Sequence, residues 1–321
     1  MIVLTGAAGF IGSCLLEALN ACGRTDILIV DHLDSDLKPK NLHGKKFIEY
    51  LDKKDFLGLV TSRQLSSSVD CIIHMGACSS TILQDEQYYE ENNFLYTRIL
   101  AQWALERRVQ FIYASSAATY GDGSRGYSDD HDLIKKCQPL NLYGASKQKF
   151  DMWALNEGVL DQMVGLKFFN VFGPNEYHKG PMRSVILKAY KKVIEESKML
   201  LFKSYKKEYA HGEQKRDFIY VKDAVDVVMF FLAHPELSGI YNVGTGKART
   251  WNDVAHALFA AVGKQPSIEY IEMPAEIRGQ YQYFTEARME KLRSVGYARP
   301  FTTLENSVAD YVYYLERKAY I

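Results

Sequence analysis

The stretch TGAAGFIG, residues 5–12, places three glycines between a short apolar segment and a segment of helical period. Glycines permit a tight turn and let the backbone approach a pyrophosphate, whose charge is met by the amides at a helix N-terminus. Nineteen residues after Gly12, at the end of the next predicted strand, stands Asp31, in the position that binds the ribose of an adenosine. Gly6, Gly9, Gly12 and Asp31 therefore predict a dinucleotide site, and the alternative is a glycine turn that serves packing alone.

Short apolar segments rich in β-branched residues alternate with longer segments of helical period through the first half of the chain. Parallel strands need covering crossovers, which are usually helices, so this alternation predicts an α/β fold with a doubly wound, Rossmann-type parallel sheet. The predicted strands are residues 2–4, 27–31, 47–51, 71–75, 110–114 and 164–169, and helical patterns cover residues 11–22, 85–107 and 143–157.

The sequence changes character after Gly173, where a second domain is expected to begin. Residues 175–216 are rich in Lys, Glu and Tyr, and strand–helix alternation returns at residues 217–232 and near residues 239–244. We therefore predict two interleaved domains. The dinucleotide-binding domain comprises residues 1–171 and about 217–246, and a smaller, partly inserted α/β substrate domain comprises about 172–216 and 247–321.

Composition and charge limit the possible partners. The chain has 321 residues, 47% of them apolar, which is enough to fill a sizeable core, and it carries 39 basic and 39 acidic residues. A net charge of zero gives no overall field that favours nucleic acid or an anionic membrane, so we expect neither partner. No apolar run approaches the length of about 18 residues that a membrane span needs. The five cysteines show neither disulfide nor zinc spacing, so we expect a cytoplasmic protein without a metal site.

A second motif combines FIYASSAATYG, residues 111–121, with NLYGASK, residues 141–147. Strand ends of a doubly wound sheet deliver their residues to the ligand crevice, so Ser116 and its neighbours are expected there. Tyr143 and Lys147 are four residues apart at the start of a predicted helix, so the ammonium lies close enough to act on the phenol. Together these segments predict a Ser/Tyr/Lys site, although small hydroxyl residues at a strand end are by themselves also typical of a plain turn.

The chain resembles a known family through four segments, in the order TGAAGFIG, ASSAATYG, YGASK and FFNVFGP. In this order they resemble the extended short-chain dehydrogenase/reductases that act on nucleotide sugars. The branch that epimerises ADP-heptoses at C6 is similar to this chain over nearly its whole length, through HMGACSST, NLYGASK, YHKGPM, KRDFIYV and GQYQYFTEA. The resemblance implies a nucleotide-sugar epimerase and a homo-oligomer. Its expected substrate is ADP-D-glycero-D-manno-heptose, a precursor of the lipopolysaccharide core.

In this family the reaction is internal redox. The resemblance implies that a tightly bound nicotinamide cofactor oxidises the hydroxyl-bearing carbon, which is then reduced on its other face without net oxidation. It assigns proton transfer to Tyr143, electrostatic support and a ribose contact to Lys147, and a hydrogen bond to the reacting oxygen to Ser116. A phenol with a pKa of about 10 is a poor base at neutral pH, but a neighbouring ammonium and an oxidised nicotinamide both favour the phenolate. Lys179 matches a second acid/base for the opposite face of the carbon.

Further ligand contacts are implied by the residues that align with binding positions of the family. The cofactor contacts implied in this way are Gly6, Gly9, Phe10, Ile11, Gly12, Asp31, His32, Lys38, Lys53, Met75, Gly76, Ala77, Ser79, Asn92, Lys147, Val171 and Lys179. The substrate contacts are Ser116, Asn170, Pro181, Lys188, Phe202, Arg216 and Tyr281. The guanidinium of Arg216 suits bidentate contact with a diphosphate.

Two features point to different nicotinamide cofactors. Asp31 by itself favours NAD, because its carboxylate accepts from the ribose 2′-hydroxyl and repels a 2′-phosphate. Lys38 and Lys53, however, match lysines that contact NADP in the family. We favour NADP, with NAD as the alternative.

Three other functions share parts of this pattern. A nucleotide-sugar 4-epimerase has the same cofactor motifs and the same Ser/Tyr/Lys set. A 4,6-dehydratase needs a Thr-Asp-Glu set after the serine strand end, where this chain has Ala117 and Ala118, so dehydration is disfavoured. A catalytically silent, dinucleotide-binding sensor usually lacks the tyrosine or the lysine, and this chain has both Tyr143 and Lys147.

Overall fold

The computed structural model describes residues 1–279 and 281–321. Its strands are β1 (Ile2–Thr5), β2 (Ile27–Asp31), β3 (Glu49–Asp52), β4 (Cys71–His74), β5 (Gln110–Ser116), β6 (Val164–Phe168), β7 (Asn170–Phe172), β8 (Met199–Phe202), β9 (Lys215–Tyr220), β10 (Gly239–Val243), β11 (Ala248–Thr250) and β12 (Ile268–Ile271). Its α-helices are α1 (Phe10–Ala21), α2 (Lys53–Thr61), α3 (Glu86–Tyr89), α4 (Tyr96–Arg107), α5 (His131–Ile134), α6 (Leu142–Asn156), α7 (Val185–Glu196), α8 (Val221–Ala233), α9 (Trp251–Ala261), α10 (Ala275–Arg278), α11 (Glu290–Ser294) and α12 (Leu304–Arg317). Short 3₁₀ turns cover Pro39–Leu42, Ala117–Tyr120, Leu160–Gln162 and Tyr177–Met182.

Seven strands form one sheet in the order β10-β6-β5-β4-β1-β2-β3. All of its pairings are parallel. The strand order reverses at β1, which pairs with β2 on one side and with β4 on the other. In such a sheet the ligand crevice opens outside the carboxyl ends of the strands at this reversal. The predicted doubly wound parallel sheet is confirmed.

Both faces of this sheet are covered by apolar cores. Ile2 and Leu4 of β1 join the core that also contains residues of α1 and α8, whereas Val3 joins the core of α2, α4 and α6. Successive side chains of a strand point to opposite faces, so a strand that is buried on both sides reads as a continuous apolar run. This arrangement explains why the predicted strands show no alternation of apolar and polar residues.

Some strands end at other residues than predicted, because pairing with a neighbouring strand sets where they end. β5 continues through Ser116 because its last two residues pair with β6. The strand predicted over residues 164–169 is divided, since β6 ends at Phe168 and β7 begins at Asn170 in another sheet. The chain therefore leaves the central sheet directly above the carboxyl end of β6.

Two smaller sheets are formed mainly by the second half of the chain. The first has the order β11-β9-β7, in which β9 is antiparallel to β11 and parallel to β7. The second is the parallel pair of β8 and β12. The first sheet joins segments that we assigned to both domains, because β7 begins at Asn170 and β9 at Lys215. The division into two domains stays a prediction.

The helix predicted over residues 85–107 is present with a change of geometry in its middle. A π-helical segment, Glu90–Leu95, joins α3 to α4. Such segments are rare and often occur at functional sites, because the wider turn reorients the side chains on it. Asn92 and Asn93 lie in this segment. Neither this helix nor any other helix of the described residues has the length and apolar character that a membrane crossing requires.

Substitution of Gly6 by alanine should destabilise the protein. Gly6 has a φ of 68°, and a Cβ on it would lie 2.6 Å from Gly76 N. We expect a loss of about 2–4 kcal/mol in the free energy of unfolding, because the left-handed conformation and the collision both contribute. Gly23→Ala is the matched control, since Gly23 has a φ of 80° with nothing within 4 Å of the added Cβ. It should lose only about 1 kcal/mol in urea unfolding, and equal losses in the two variants would contradict this account.

Candidate active site

A cleft of about 1050 Å³ opens at the carboxyl ends of the central strands, where the strand order reverses. The structure brings most of the predicted site residues together in its lining. They are Gly6, Gly9, Phe10, Ile11, Gly12, Asp31, His32, Lys38, Lys53, Met75, Gly76, Ala77, Ser79, Asn92, Ser116, Tyr143, Lys147, Asn170, Val171, Lys179, Lys188, Arg216 and Tyr281.

Two predicted substrate contacts lie elsewhere. Pro181 is exposed and Phe202 is half-buried, and neither belongs to the lining of this cleft. Phe202 packs edge to face on Tyr281 with ring centres 6.5 Å apart, so it supports a lining residue from behind. Gln280, in the motif GQYQYFTEA, lies outside the described residues.

The glycine turn after β1 has the shape that a pyrophosphate requires. Gly6 N donates to Val30 O at 2.8 Å, which holds the turn against β2. A Cβ on Gly12 would lie 2.0 Å from Gly6 O, so α1 packs directly on the turn. Gly9 is the N-cap of α1 and provides no side-chain hydrogen bond, which leaves the first amides of the helix available to an anion. The turn therefore fits the phosphates of a dinucleotide.

The carboxylate of Asp31 is held by three donors. Its oxygens accept from Ala8 N at 2.8 Å, from His32 N at 2.7 Å and from Lys38 Nζ at 2.7 Å. Lys38 also donates to His32 O at 2.7 Å. The negative charge of Asp31 is thus paired with the positive charge of Lys38 inside the cleft.

α6 comes close to the turn that follows β5 because Gly144 has no side chain. A Cβ on Gly144 would lie 2.8 Å from Ala118 O. The close approach brings the phenol of Tyr143 near Ser116, whose hydroxyl acts to lower the pKa of the phenol. Ser116 Oγ also accepts from Ala118 N at 3.1 Å, which fixes its position. The glycine of NLYGASK therefore sets the distance between the serine and the tyrosine.

Burial is the largest influence on the pKa values of Tyr143 and Lys147. It raises the pKa of Tyr143, although the Ser116 hydroxyl acts in the opposite direction. Burial also lowers the pKa of Lys147 to about 8, while Asp151 and then Cys78 oppose this change. The expected depression of the tyrosine pKa depends on the ammonium and an oxidised nicotinamide acting together, and it stays a prediction.

Lys179 lies in the 3₁₀ turn Tyr177–Met182, at the side of the cleft formed by the glycine turn. Its Nζ is 5.1 Å from the centre of the Phe10 ring, a distance at which a cation and an aromatic face attract each other. Burial lowers the pKa of Lys179, Glu176 opposes this change, and Lys188 adds to it. The lysine is therefore a desolvated amine that faces the same cleft as Tyr143.

Arg216 on β9 brings a second, fixed positive charge. It is 6% exposed, and its guanidinium lies 5.1 Å from the ring centre of Tyr281 and 5.9 Å from that of Trp251. It donates to Lys215 O at 2.8 Å and to Gln282 O. Burial lowers its pKa, yet a guanidinium stays charged at any physiological pH. The side chain is held between aromatic faces in one orientation.

The sequence analysis missed Asn93, which organises the loop after β4. Its amide oxygen accepts from Cys78 N at 2.8 Å, and its amide nitrogen donates to Cys78 O and to Ser146 Oγ, each at 2.9 Å. Ser146 donates in turn to Tyr143 O at 2.7 Å. Asn93 therefore connects this loop to the first turn of α6. The Asn-Asn pair within a helical pattern was the available signal, because polar residues on a buried helix face need partners.

His74 at the end of β4 lines the cleft, and the sequence analysis did not select it. Its Nδ1 lies 2.6 Å from Thr5 Oγ1 and its Nε2 lies 2.9 Å from Thr97 Oγ1. Burial lowers the pKa of the imidazole to about 3, with a smaller contribution from Lys147. The ring is therefore neutral at physiological pH. It links β4, which carries it, to β1 and to α4 below the cleft.

Residues 2–244 match the model of the NAD dependent epimerase/dehydratase family. ADP-L-glycero-D-manno-heptose-6-epimerase of Nitratidesulfovibrio vulgaris (strain DP4) is 52% identical to this chain over 312 residues, which are 97% of each chain. The enzyme of the same name from Fusobacterium nucleatum subsp. nucleatum is 44% identical over 321 residues, again 97% of each chain.

A solved structure leads to the same family. The crystal structure of Helicobacter pylori ADP-L-glycero-D-manno-heptose-6-epimerase superposes with a TM-score of 0.82 at 28% sequence identity. The superposition covers 98% of this chain and 96% of the other. The family match, the glycine turn and the Ser/Tyr/Lys set in one cleft agree on a nicotinamide cofactor, and the chain belongs to the NAD dependent epimerase/dehydratase family.

Proposed function

We propose that this protein inverts C6 of ADP-D-glycero-D-manno-heptose to give ADP-L-glycero-D-manno-heptose, with a nicotinamide cofactor that stays bound. Two relatives of that name match over 97% of the chain. The observation that carries the proposal is the position of Lys179 in the same cleft as Ser116, Tyr143 and Lys147. Lys179 thus provides a second proton-transfer group beside the Ser/Tyr/Lys set.

Tyr143 is proposed to accept the proton of the C6 hydroxyl when that carbon is oxidised on its face, and to donate a proton there when the reaction runs in reverse. Ser116 donates a hydrogen bond to the same oxygen, a role that its contact with the phenol supports. Lys147 is largely charged at neutral pH, because its pKa is about 8, and its ammonium favours the phenolate. A nicotinamide bound in the cleft supplies a reversible hydride acceptor for the reacting carbon.

Lys179 is proposed to serve the other face of that carbon. Inversion at C6, which lies outside the sugar ring, requires rotation about the C5–C6 bond. After rotation the oxygen points away from Tyr143, and a second donor removes that difficulty. The half-buried amine of Lys179 is suited to this role, because partial desolvation lowers its pKa toward the working range of an acid/base.

The nucleotide must stay in place while C6 rotates. Arg216 is proposed to bind the diphosphate, since its guanidinium is fixed between Tyr281 and Trp251 and suits bidentate contact. Lys188 adds positive charge to the same cleft. The aromatic rings around Arg216 also offer faces on which a nucleobase can stack.

We infer that the cofactor is NADP, with NAD as the alternative. Asp31 alone would repel a 2′-phosphate, but its charge is paired with Lys38 at 2.7 Å. Lys53 lies in the same cleft and donates to Asn92 Oδ1 at 2.7 Å. These two ammonium groups support the binding of a phosphate on the ribose.

Localisation and assembly stay predictions. A cytoplasmic protein is supported by the free state of Cys14, Cys22, Cys71, Cys78 and Cys137. A homo-oligomer is implied by the family resemblance, as is a place in the synthesis of the lipopolysaccharide core. We expect neither nucleic acid nor membrane among the partners.

Incubation of the purified protein with ADP-D-glycero-D-manno-heptose should give a mixture of the two C6 epimers, separable by chromatography.

Tyr143→Phe should lower turnover by about 100-fold or more, because the proton-transfer group is removed. The cofactor should stay bound in this variant. Lys147→Met should weaken both turnover and cofactor binding.

The control for this substitution is Tyr314→Phe. Tyr314 and Lys318 have the same spacing as the active pair, but neither belongs to the lining of the cleft. Tyr314→Phe should have wild-type turnover. Turnover of Tyr143→Phe within a few-fold of wild type would rule out the assignment, and a product inverted at C4 would identify a 4-epimerase instead.

Lys179→Met should lose epimerase activity while it keeps the cofactor and the fold. The informative substrate is an analogue with an aldehyde at C6. In the wild-type reaction half of the analogue molecules are oxidised and the other half are reduced. We expect roughly a 100-fold loss on the natural substrate, the size that a single acid/base contributes. Lys191→Met is the control, since that side chain is 81% exposed on α7. Nearly full activity of Lys179→Met on both substrates would mean that one residue serves both faces.

Lys38→Ala should shift the bound cofactor from NADP toward NAD. Removal of the ammonium leaves the charge of Asp31 unpaired, so a 2′-phosphate is repelled. Mass spectrometry of the small molecules released on denaturation gives the ratio of NADP to NAD. Lys40→Ala, which changes an exposed lysine of the same loop, should keep the wild-type ratio. Release of chiefly NAD from the wild-type protein would reverse the preference.

A further inference from the structure

A lysine and an aspartate form an ion pair in the interior behind the carboxyl end of β5. Lys167 Nζ on β6 lies 2.5 Å from Asp151 Oδ2 on α6, and both side chains are 0% exposed. Removing two charges from water carries a large desolvation penalty, and an apolar pair of similar volume is often as stable. Stability alone therefore does not account for these charges.

Hydrogen bonds extend from this pair to the serine end of β5. Asp151 accepts from Ser115 Oγ at 2.7 Å. Lys167 donates to Thr119 Oγ1 at 2.8 Å, and Thr119 donates to Ser116 O at 2.8 Å. The pair thus holds the backbone on both sides of the Ser116 side chain.

The same aspartate belongs to the helix that carries the other two members of the set. On α6, Asp151 lies about one turn beyond Lys147 and about two turns beyond Tyr143. Tyr113 OH donates to Asp151 Oδ1 at 2.9 Å, which adds a further link between α6 and β5. Because the helix is rigid over this length, a fixed Asp151 fixes Tyr143 relative to β5.

We propose that the ion pair of Asp151 and Lys167 positions the active site, by holding α6 against the end of β5 so that Ser116 and Tyr143 meet at one substrate oxygen. Asp151 also sets the electrostatic field at the ammonium of Lys147. Both are positioning residues, since neither belongs to the lining of the cleft. The inference rests on the proposed function, because it concerns the groups that carry out that reaction.

The groups of the described residues that lie near the Lys147 ammonium belong to α6, to β4 and to the loop after β4. Asp151 and Tyr143 face it from α6, Cys78 from the loop after β4, and the neutral His74 from the end of β4. Of these, Asp151 opposes most strongly the effect of burial, which lowers the lysine pKa to about 8. Lys147 acts as the charged form, so kcat/KM falls as pH rises through that pKa. Loss of the carboxylate lowers the pKa further and moves this fall to lower pH.

The test compares single and double variants of the cofactor-loaded protein. Asp151→Asn should lower kcat by about 10- to 100-fold, the scale of loss for a displacement of catalytic groups of about 1 Å. It should also move the alkaline fall of kcat/KM to lower pH. Asp151→Asn/Lys167→Met removes the unpaired ammonium as well, so its urea midpoint should recover toward wild type. Its kcat should stay low, and its pH profile should stay shifted.

Two control variants distinguish a loss of the ion pair from the loss of any lysine charge. Lys167→Arg keeps the cation and should keep the wild-type pH profile. Lys149→Met removes an exposed lysine of α6 that pairs with Glu90 at 2.5 Å, and it should change neither kcat nor the profile. If the double variant regains wild-type kcat and pH profile together with its stability, the pair serves folding only and the proposal is wrong. A wild-type protein that does not epimerise ADP-heptose would overturn the proposed function instead.

Discussion

The contact between the turns after β1 and β4 is the constraint on which the rest of the site depends. Neighbouring strands of a sheet lie about 4.8 Å apart, so no side chain fits between two turns that meet at their ends. A Cβ on Gly6 would lie 2.6 Å from Gly76 N, and one on Gly76 would lie 3.1 Å from Gly6 N. Because both positions are glycine, the floor of the cleft consists of backbone, and its amides face the place proposed for the phosphates. The start of α1 and the loop that carries HMGACSST take their positions from this contact.

Desolvated cations give the cleft its chemical character. The chain as a whole has a net charge of zero, yet burial lowers the pKa of Lys147, Lys179 and Arg216 in one cavity. Cations without their full hydration attract an anion strongly, because less water has to be displaced and the local dielectric constant is lower. A nucleotide diphosphate has the charge that such a cavity favours. The same burial raises the pKa of Tyr143, so the phenol is protonated at neutral pH.

Some parts of the site have no local signature in the sequence. Asp151 and Lys167 meet only when distant segments fold together, and their spacing in the chain matches no motif. Asn93 has a weak local signal in the Asn-Asn pair, but its partner Cys78 is 15 residues away. Phe202 was expected to touch the substrate, but it lies behind Tyr281 because β8 pairs with β12 and not with a strand of the cleft. The end of β5 also depends on its partner, since pairing with β6 extends it through Ser116.

Local patterns in the sequence were enough to predict the class of fold, the glycine turn and the Ser/Tyr/Lys set. Each of these depends on short-range spacing: glycines around a strand-to-helix turn, an apolar run per buried strand, and one helical turn between Tyr143 and Lys147. Only the folded chain shows that Lys38 neutralises Asp31 and that burial lowers the pKa of Lys147 and Lys179. These properties depend on distances between remote segments and on the exclusion of water, and neither quantity is encoded in the spacing of residues along the chain.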